Sequence, residues 1–265
     1  MTKKNFIFIG LSILVLLISV MVPFIGFGSG GVNMTNLPVN LLVSFLLLFI
    51  GLKGLYKDTN NKDFYTGSIM CIVGMCVLII GTIISPLITK HYIGVFKFYK
   101  TFIENLDNEY IFFKNCLYLF NSFGIFFIVY LVSFYFYGFA TFRFANGIKN
   151  QNIKVEHKNN LNKKIKTFII TNMILFAICA ITMFVLKELM ETLMPYLHTN
   201  TVPDEVLAKL MLLMVVLYAL ICPCIIVVSV FYYINIIKSI ILVFKTPSML
   251  EQKEEFVETS IQNEE

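Results

Sequence analysis

The chain has no tryptophan, few charges, and no Asp, Glu, His or Arg at the centre of any of its long apolar runs. Charged residues make up 14% of the 265 and hydrophobic residues 58%, with a mean hydropathy of +0.80. A soluble core of this length cannot cover so much apolar surface, so the solvent for most of it is a bilayer. The missing midplane charge counts against a proton- or ion-coupled carrier, which needs a group that binds the ion or changes charge. HExxH, GxSxG and a Ser–His pair in neighbouring spans are missing too, so we expect no enzyme and no catalytic residue. Six cysteines do not make a secreted disulfide framework, because Cys71, Cys76, Cys179, Cys222 and Cys224 lie inside apolar runs. Without Trp, interfacial anchoring falls to 13 Tyr and 27 Phe.

What remains is hydrophobic length. Apolar runs at about 6–27, 37–56, 65–89, 112–139, 167–187 and 207–234 are each long enough to cross as a helix. They predict an all-α, polytopic integral membrane helix bundle of about six transmembrane helices, one domain over 1–248. The first run follows Lys3 and Lys4, but its apolar core is longer than that of a signal peptide. No small-x-small cleavage site precedes Gly28, so it reads as a retained helix. Gly28-Ser29-Gly30-Gly31 then makes a turn; no preceding strand or following Lys-Ser/Thr marks it as a phosphate loop.

The third run organises the rest. Gly67, Cys71, Gly74, Leu78, Gly81 and Ser85 follow one another at steps of four and three, within one narrow helix face. Five of the six are small, which predicts a seam along which neighbouring helices approach closely. Residues 92–110 carry Val95, Phe96, Tyr99, Phe102, Ile103, Leu106 and Tyr110 at helical spacing, with Lys97, Lys100, Glu104 and Asp107 between them. That pattern predicts an interfacial amphipathic helix acting as a connector.

The basic stretch 141–166 reads as an inner loop. It sets orientation and contacts anionic lipid through Arg143, Lys149, Lys154, Lys158, Lys163, Lys164 and Lys166. His157 within it reads as a solvated loop residue. Most of the 21 Lys and Arg fall on the side of the two termini, which places both inside. Residues 249–265 are acidic and polar, and we expect a disordered cytoplasmic tail.

Cys222-Pro223-Cys224 falls near the centre of the last span, with Cys76 and Cys179 expected at similar depth. Thiolates select Cu(I) and other soft ions, so these four cysteines are the candidate metal ligands; otherwise we expect no cofactor. The triplet resembles the intramembrane motif of heavy-metal-transporting P-type ATPases. That likeness covers three residues, and the phosphorylation and nucleotide domains of that family are not in this sequence. Cysteine is also a small hydrophobe, and Pro223 alone would kink a helix.

The functional expectation is a non-catalytic component of a membrane transport system. Its layout is similar to that of small permease subunits of ABC exporters. The alternatives are a membrane scaffold, assembly factor or sensor, or soft-metal binding at Cys222 and Cys224. The expected partners are the lipid bilayer and a cytoplasmic protein or further copies of the chain, with no nucleic acid. Richness in Lys, Asn and Ile and the short basic start suggest a bacterial cytoplasmic membrane.

Overall fold

The computed structural model describes residues 2–26, 36–89, 109–149, 151, 153, 155–196 and 202–262, with side chains at all of these except 19–26, 36–38, 85–89, 109–127, 183 and 249–262. Among them there is no strand. The helices are α1 (Lys3–Gly26), α2 (Asn36–Thr59), α3 (Lys62–Thr89), α4 (Glu109–Lys149), α5 (Val155–Leu193), α6 (Asp204–Val215) and α7 (Cys222–Gln262). A 3-10 turn, Met194–Tyr196, follows α5, and a π-helical segment, Val216–Ile221, joins α6 to α7. Five stretches are long and apolar enough to cross a membrane: Val39–Thr59, Lys62–Ile84, Ile128–Lys149, Val155–Tyr196 and Asp204–Ser248. With the apolar α1 as a sixth candidate, this is a helical, membrane-embedded chain.

The helices divide between two compact units. The first contains Met1–Leu78, Val132–Thr171 and Phe231–Glu265. Its core reads as steps of three, four or seven residues along each helix. Phe6, Ile9, Ile13 and Leu16 come from α1, and Leu41, Phe45, Leu48, Leu52 and Leu55 from α2. Phe64, Cys71 and Leu78 come from α3, Phe134, Tyr137, Phe144 and Ile148 from α4, Leu161, Ile165 and Phe168 from α5, and Tyr232, Ile236, Ile240 and Val243 from α7. Such steps keep each set on one face, the pattern of knobs packing into holes. Aromatic rings tie the faces together edge-on, Phe6 to Phe144 at 6.3 Å and Phe45 to Tyr137 at 5.4 Å between centroids.

Small residues decide how close the helices come. A Cβ on Gly67 would lie 3.0 Å from Leu52 Cδ1 on α2 and 3.3 Å from the Ala140 carbonyl oxygen on α4. One on Gly74 would run into the Phe45 ring and lie 3.0 Å from Phe136 Cβ, so α3 is wedged between α2 and α4. Gly10 of α1 accepts the Phe244 ring of α7 in the same way.

The α2–α3 connection is two residues long. Asn60 takes the left-handed conformation, φ 51°, and its N–H donates to the Tyr56 carbonyl at 2.7 Å, closing α2. Asn61 then opens α3: its Oδ1 accepts the Asp63 N–H at 2.9 Å and its Nδ2 donates to the Gly147 carbonyl of α4 at 3.2 Å.

The second unit contains Ile79–Leu131 and Asn172–Val230. Among its described residues the buried hydrophobic side chains are Val185 and Ile221. Its contacts include Val129 against Gly81 and the Tyr130 ring 6.1 Å from Phe176. Lys209 of α6 pairs with Glu188 of α5 at 2.7 Å, and Lys187 with Glu191 at 3.5 Å.

Two expectations are corrected. The basic stretch 141–166 is not a loop, because α4 runs to Lys149 and α5 starts at Val155. Ala140, Phe144 and Ile148 hold the end of α4 in the core, and no proline interrupts it. The segment 249–262 is helical as the end of α7, since Met249, Leu250, Glu251, Gln252, Lys253 and Glu254 are all good helix formers. The amphipathic segment 92–110 lies outside the described residues except at its last two positions, where α4 begins.

Gly74→Ala is expected to destabilise the protein by about 1–3 kcal/mol, because the added methyl meets the Phe45 ring of α2 and the Phe136 Cβ of α4, which cannot both retreat. Gly138→Ala, where the new Cβ would meet only Ile169 at 3.2 Å and beyond, is expected to cost less than ~1 kcal/mol. Unfolding transitions in one mild detergent, followed by circular dichroism, measure the difference.

Candidate functional site

Within the first unit, buried polar side chains form joints between helices. Ser12 of α1 donates its proton to the Ser44 carbonyl of α2 at 2.7 Å. Its oxygen lies 2.7 Å from the Tyr137 hydroxyl of α4, and with the serine proton committed, Tyr137 is the donor. All three residues are fully buried, so one three-residue chain of hydrogen bonds fixes the mutual depth of three helices.

A second joint is ionic. Arg143 Nη1 of α4 donates to Asp63 Oδ1 of α3 at 3.0 Å, and the guanidinium lies 5.0 Å from the Phe139 ring centroid. Its Nε is enclosed by protein and meets no acceptor among the described residues. Both side chains keep some exposure, 36% and 22%, so solvent screening moderates the pair. Near the start of α1, Asp58 of α2 accepts three hydrogen bonds on one oxygen. They come from the Thr2 backbone N–H at 2.6 Å, the Thr2 hydroxyl at 2.7 Å and Asn5 Nδ2 at 3.1 Å. A carboxylate there caps the exposed N–H groups of a helix start from outside that helix.

His157 is not a solvated loop residue. It is buried in the first turn of α5, with Nε2 3.0 Å from the Thr246 hydroxyl of α7. Thr246 gives its own proton to the Leu242 carbonyl at 2.8 Å, so His157 Nε2 carries the hydrogen in this bond. Nothing in the spacing around His157 distinguished it; its partner lies 89 positions away. The Ser12–Ser44–Tyr137 joint was hidden for the same reason, since Ser and Tyr are unremarkable in a transmembrane helix.

The candidate residues are distributed as follows. On α3, Gly67, Cys71, Gly74 and Leu78 are buried, Gly81 faces Val129, and the Ser85 side chain lies outside the described set. Of the cations, Lys158 donates to the carbonyls of Lys149 at 3.1 Å and Gln151 at 2.9 Å, capping the end of α4. Lys164 reaches Asn235 Oδ1 at 3.5 Å, Lys166 lies 5.1 Å from the Phe142 ring centroid, Lys149 and Lys163 are exposed, and Lys154 lies outside the described residues.

Among the cysteines, Cys71 is buried, Cys76 and Cys224 are exposed, and Cys179 and Cys222 are half-buried. The described residues contain no group of three or more His, Cys, Asp or Glu close enough to hold a metal ion.

The irregular point of the second unit is the backbone beside those cysteines. Val216–Ile221 is π-helical, and the Cys222 N–H donates five residues back to the Leu217 carbonyl. Pro223 explains the widened turn: its ring would press on the carbonyl four residues earlier, and it has no N–H to offer there. Around it Tyr218, Ala219, Leu220, Pro223 and Cys224 are all exposed.

Ser12→Ala is expected to cost about 2 kcal/mol, because it leaves the buried Tyr137 hydroxyl without its partner. Tyr137→Phe is expected to cost only about 1 kcal/mol, since Ser12 keeps its bond to Ser44. The order of the two unfolding midpoints checks this. Separately, Cys76 and Cys224 are expected to react with a membrane-permeant maleimide in the folded protein at least about tenfold faster than Cys71, read by intact mass.

No protein-family model, curated protein or solved structure matches the chain.

Proposed function

We propose that the protein is a non-catalytic, permease-like subunit of a membrane transport assembly, with both termini on the inner side of a bacterial cytoplasmic membrane. The observation that carries this reading is the π-helical segment Val216–Ile221 just before Pro223. Irregular backbone at membrane depth is tolerated where other protein covers it or where it borders a polar path, and π-turns concentrate at working positions. Pro223 leaves a carbonyl of the preceding turn without its usual donor, and the side chains around it are exposed in the single chain. A partner helix, from another copy or a second subunit, would cover that stretch and complete the path. The inner location rests on the excess of Lys and Arg beside the termini.

A second reading, a scaffold or assembly factor without transport, draws support from the first unit. There Ser12, Tyr137, Asp63, Arg143 and His157 are used in helix–helix joints rather than turned toward a cavity. Soft-metal binding draws less support, given the exposure of Cys76 and Cys224.

Native mass spectrometry of the protein, extracted gently from its own membrane, separates the readings. The transport reading expects masses above that of the 30.4 kDa chain, containing a second polypeptide or further copies. It also expects Pro223→Ala to weaken that association, because a regular helix no longer presents the open turn. A bare monomer in several mild detergents, unchanged by Pro223→Ala, would overturn it.

A further inference from the structure

The seven basic residues around the α4–α5 connection are not equivalent, and their geometry sorts them. Arg143 is committed to Asp63, Lys158 to two carbonyls at the end of α4, and Lys164 to Asn235. Lys149 is exposed by itself at the end of α4, whereas Lys163 and Lys166 have exposed side chains on one face of α5, three positions apart and therefore neighbours. Lys166 is held over the Phe142 ring of α4 at 5.1 Å, so its ammonium is positioned by an aromatic surface rather than neutralised by a carboxylate. The sole acidic residue in the first half of α5, Glu156, sits two turns before Lys163, roughly 10 Å along the axis. That is about one Debye length at physiological salt.

What lies on the apolar side of these two lysines determines the ligand. Helices α4 and α5 run antiparallel here, with Lys158 at Lys149, Lys166 at Phe142 and Ile169 against Gly138. Moving from Lys166 toward the apolar part of both helices, the exposed side chains are Ile170 on α5 and then Tyr135 and Val132 on α4. Cations at one end and an apolar strip running away from them match an anionic headgroup with its acyl chains. A free soluble phosphate would use the first half of this surface and none of the second.

The geometry points to a binding site for an anionic phospholipid: Lys163 and Lys166 take the phosphodiester headgroup, and Ile170, Tyr135 and Val132 line the acyl chains. The inference needs only that the chain is membrane-embedded, and does not depend on transport.

The test offers the full-length protein, in a mild nonionic detergent, equimolar phosphatidylglycerol and phosphatidylcholine with identical acyl chains, and counts retained lipids by native mass spectrometry. The wild type is expected to retain phosphatidylglycerol in preference. The pair Lys163→Gln and Lys166→Gln is expected to lower that preference by roughly 25-fold, about fivefold for each lysine near an anionic headgroup. Lys163→Arg with Lys166→Arg is expected to keep it. So is Lys238→Gln with Lys245→Gln, which removes two exposed cations from α7. Circular dichroism melting confirms that each variant is folded, and the single Lys166→Gln change serves if the pair is not. Three results would overturn the site: no preference in the wild type, equal loss in both Gln pairs, or displacement of the lipid by inorganic phosphate at matched concentration.

Discussion

Hydrocarbon supplies no hydrogen-bond partner, so every polar atom buried at membrane depth must be matched within protein. In the first unit such matching in the core, together with pairs nearer the helix ends, makes a specific set of joints. Ser12, Ser44 and Tyr137 link α1, α2 and α4; Asp63 and Arg143 link α3 and α4; His157 and Thr246 link α5 and α7. Apolar packing against lipid-like side chains has little directional preference. These bonds therefore fix the vertical register of the helices, which the hydrophobic effect cannot do when the surrounding solvent is as apolar as the core.

The glycines serve the same end by a different route. A 2.7 Å hydrogen bond from the short Ser12 side chain to the Ser44 backbone carbonyl requires the backbones of α1 and α2 to approach closely. Gly67 and Gly74 let α3 sit against α2 and α4, where Phe45 packs on both Gly74 and Tyr137. Close packing and polar matching are thus one device, and losing either loosens the other. At Pro223 the same constraint acts with the opposite result, because the chain itself removes a donor and then leaves the neighbouring turn exposed.

The helical, membrane-embedded character was legible from composition and from the length of the apolar runs. The steps of three and four that carry the core were also visible, most clearly at Gly67, Cys71, Gly74 and Leu78. What escaped were contacts set by distance along the chain. Arg143 looked like part of a basic loop because its partner Asp63 lies 80 residues earlier. His157 looked solvated because Thr246 lies 89 residues later. Segment 249–262 is rich in charge, which favours disorder, but its Met, Leu, Glu, Gln and Lys residues also have high local helix propensity. Cys222-Pro223-Cys224 drew attention to its sulfurs, whereas the structural consequence at that point lies in the proline and the turn before it.

The two-residue connection between α2 and α3 makes the molecule intolerant of length changes at that point. Asn60 and Asn61 close one helix and open the next with no slack, and Asn61 is also fastened to Gly147. One residue inserted in the first turn of α3, just after this connection, turns everything after it by about 100° and lifts it by about 1.5 Å. Gly67 and Gly74 would then swing away from Leu52, Phe45 and Phe136, and bulkier neighbours would face those rings. A change invisible to composition and hydropathy would thereby erase the close contact of three helices. Two asparagines at a surface turn act as the gauge that keeps α3 in phase with the rest.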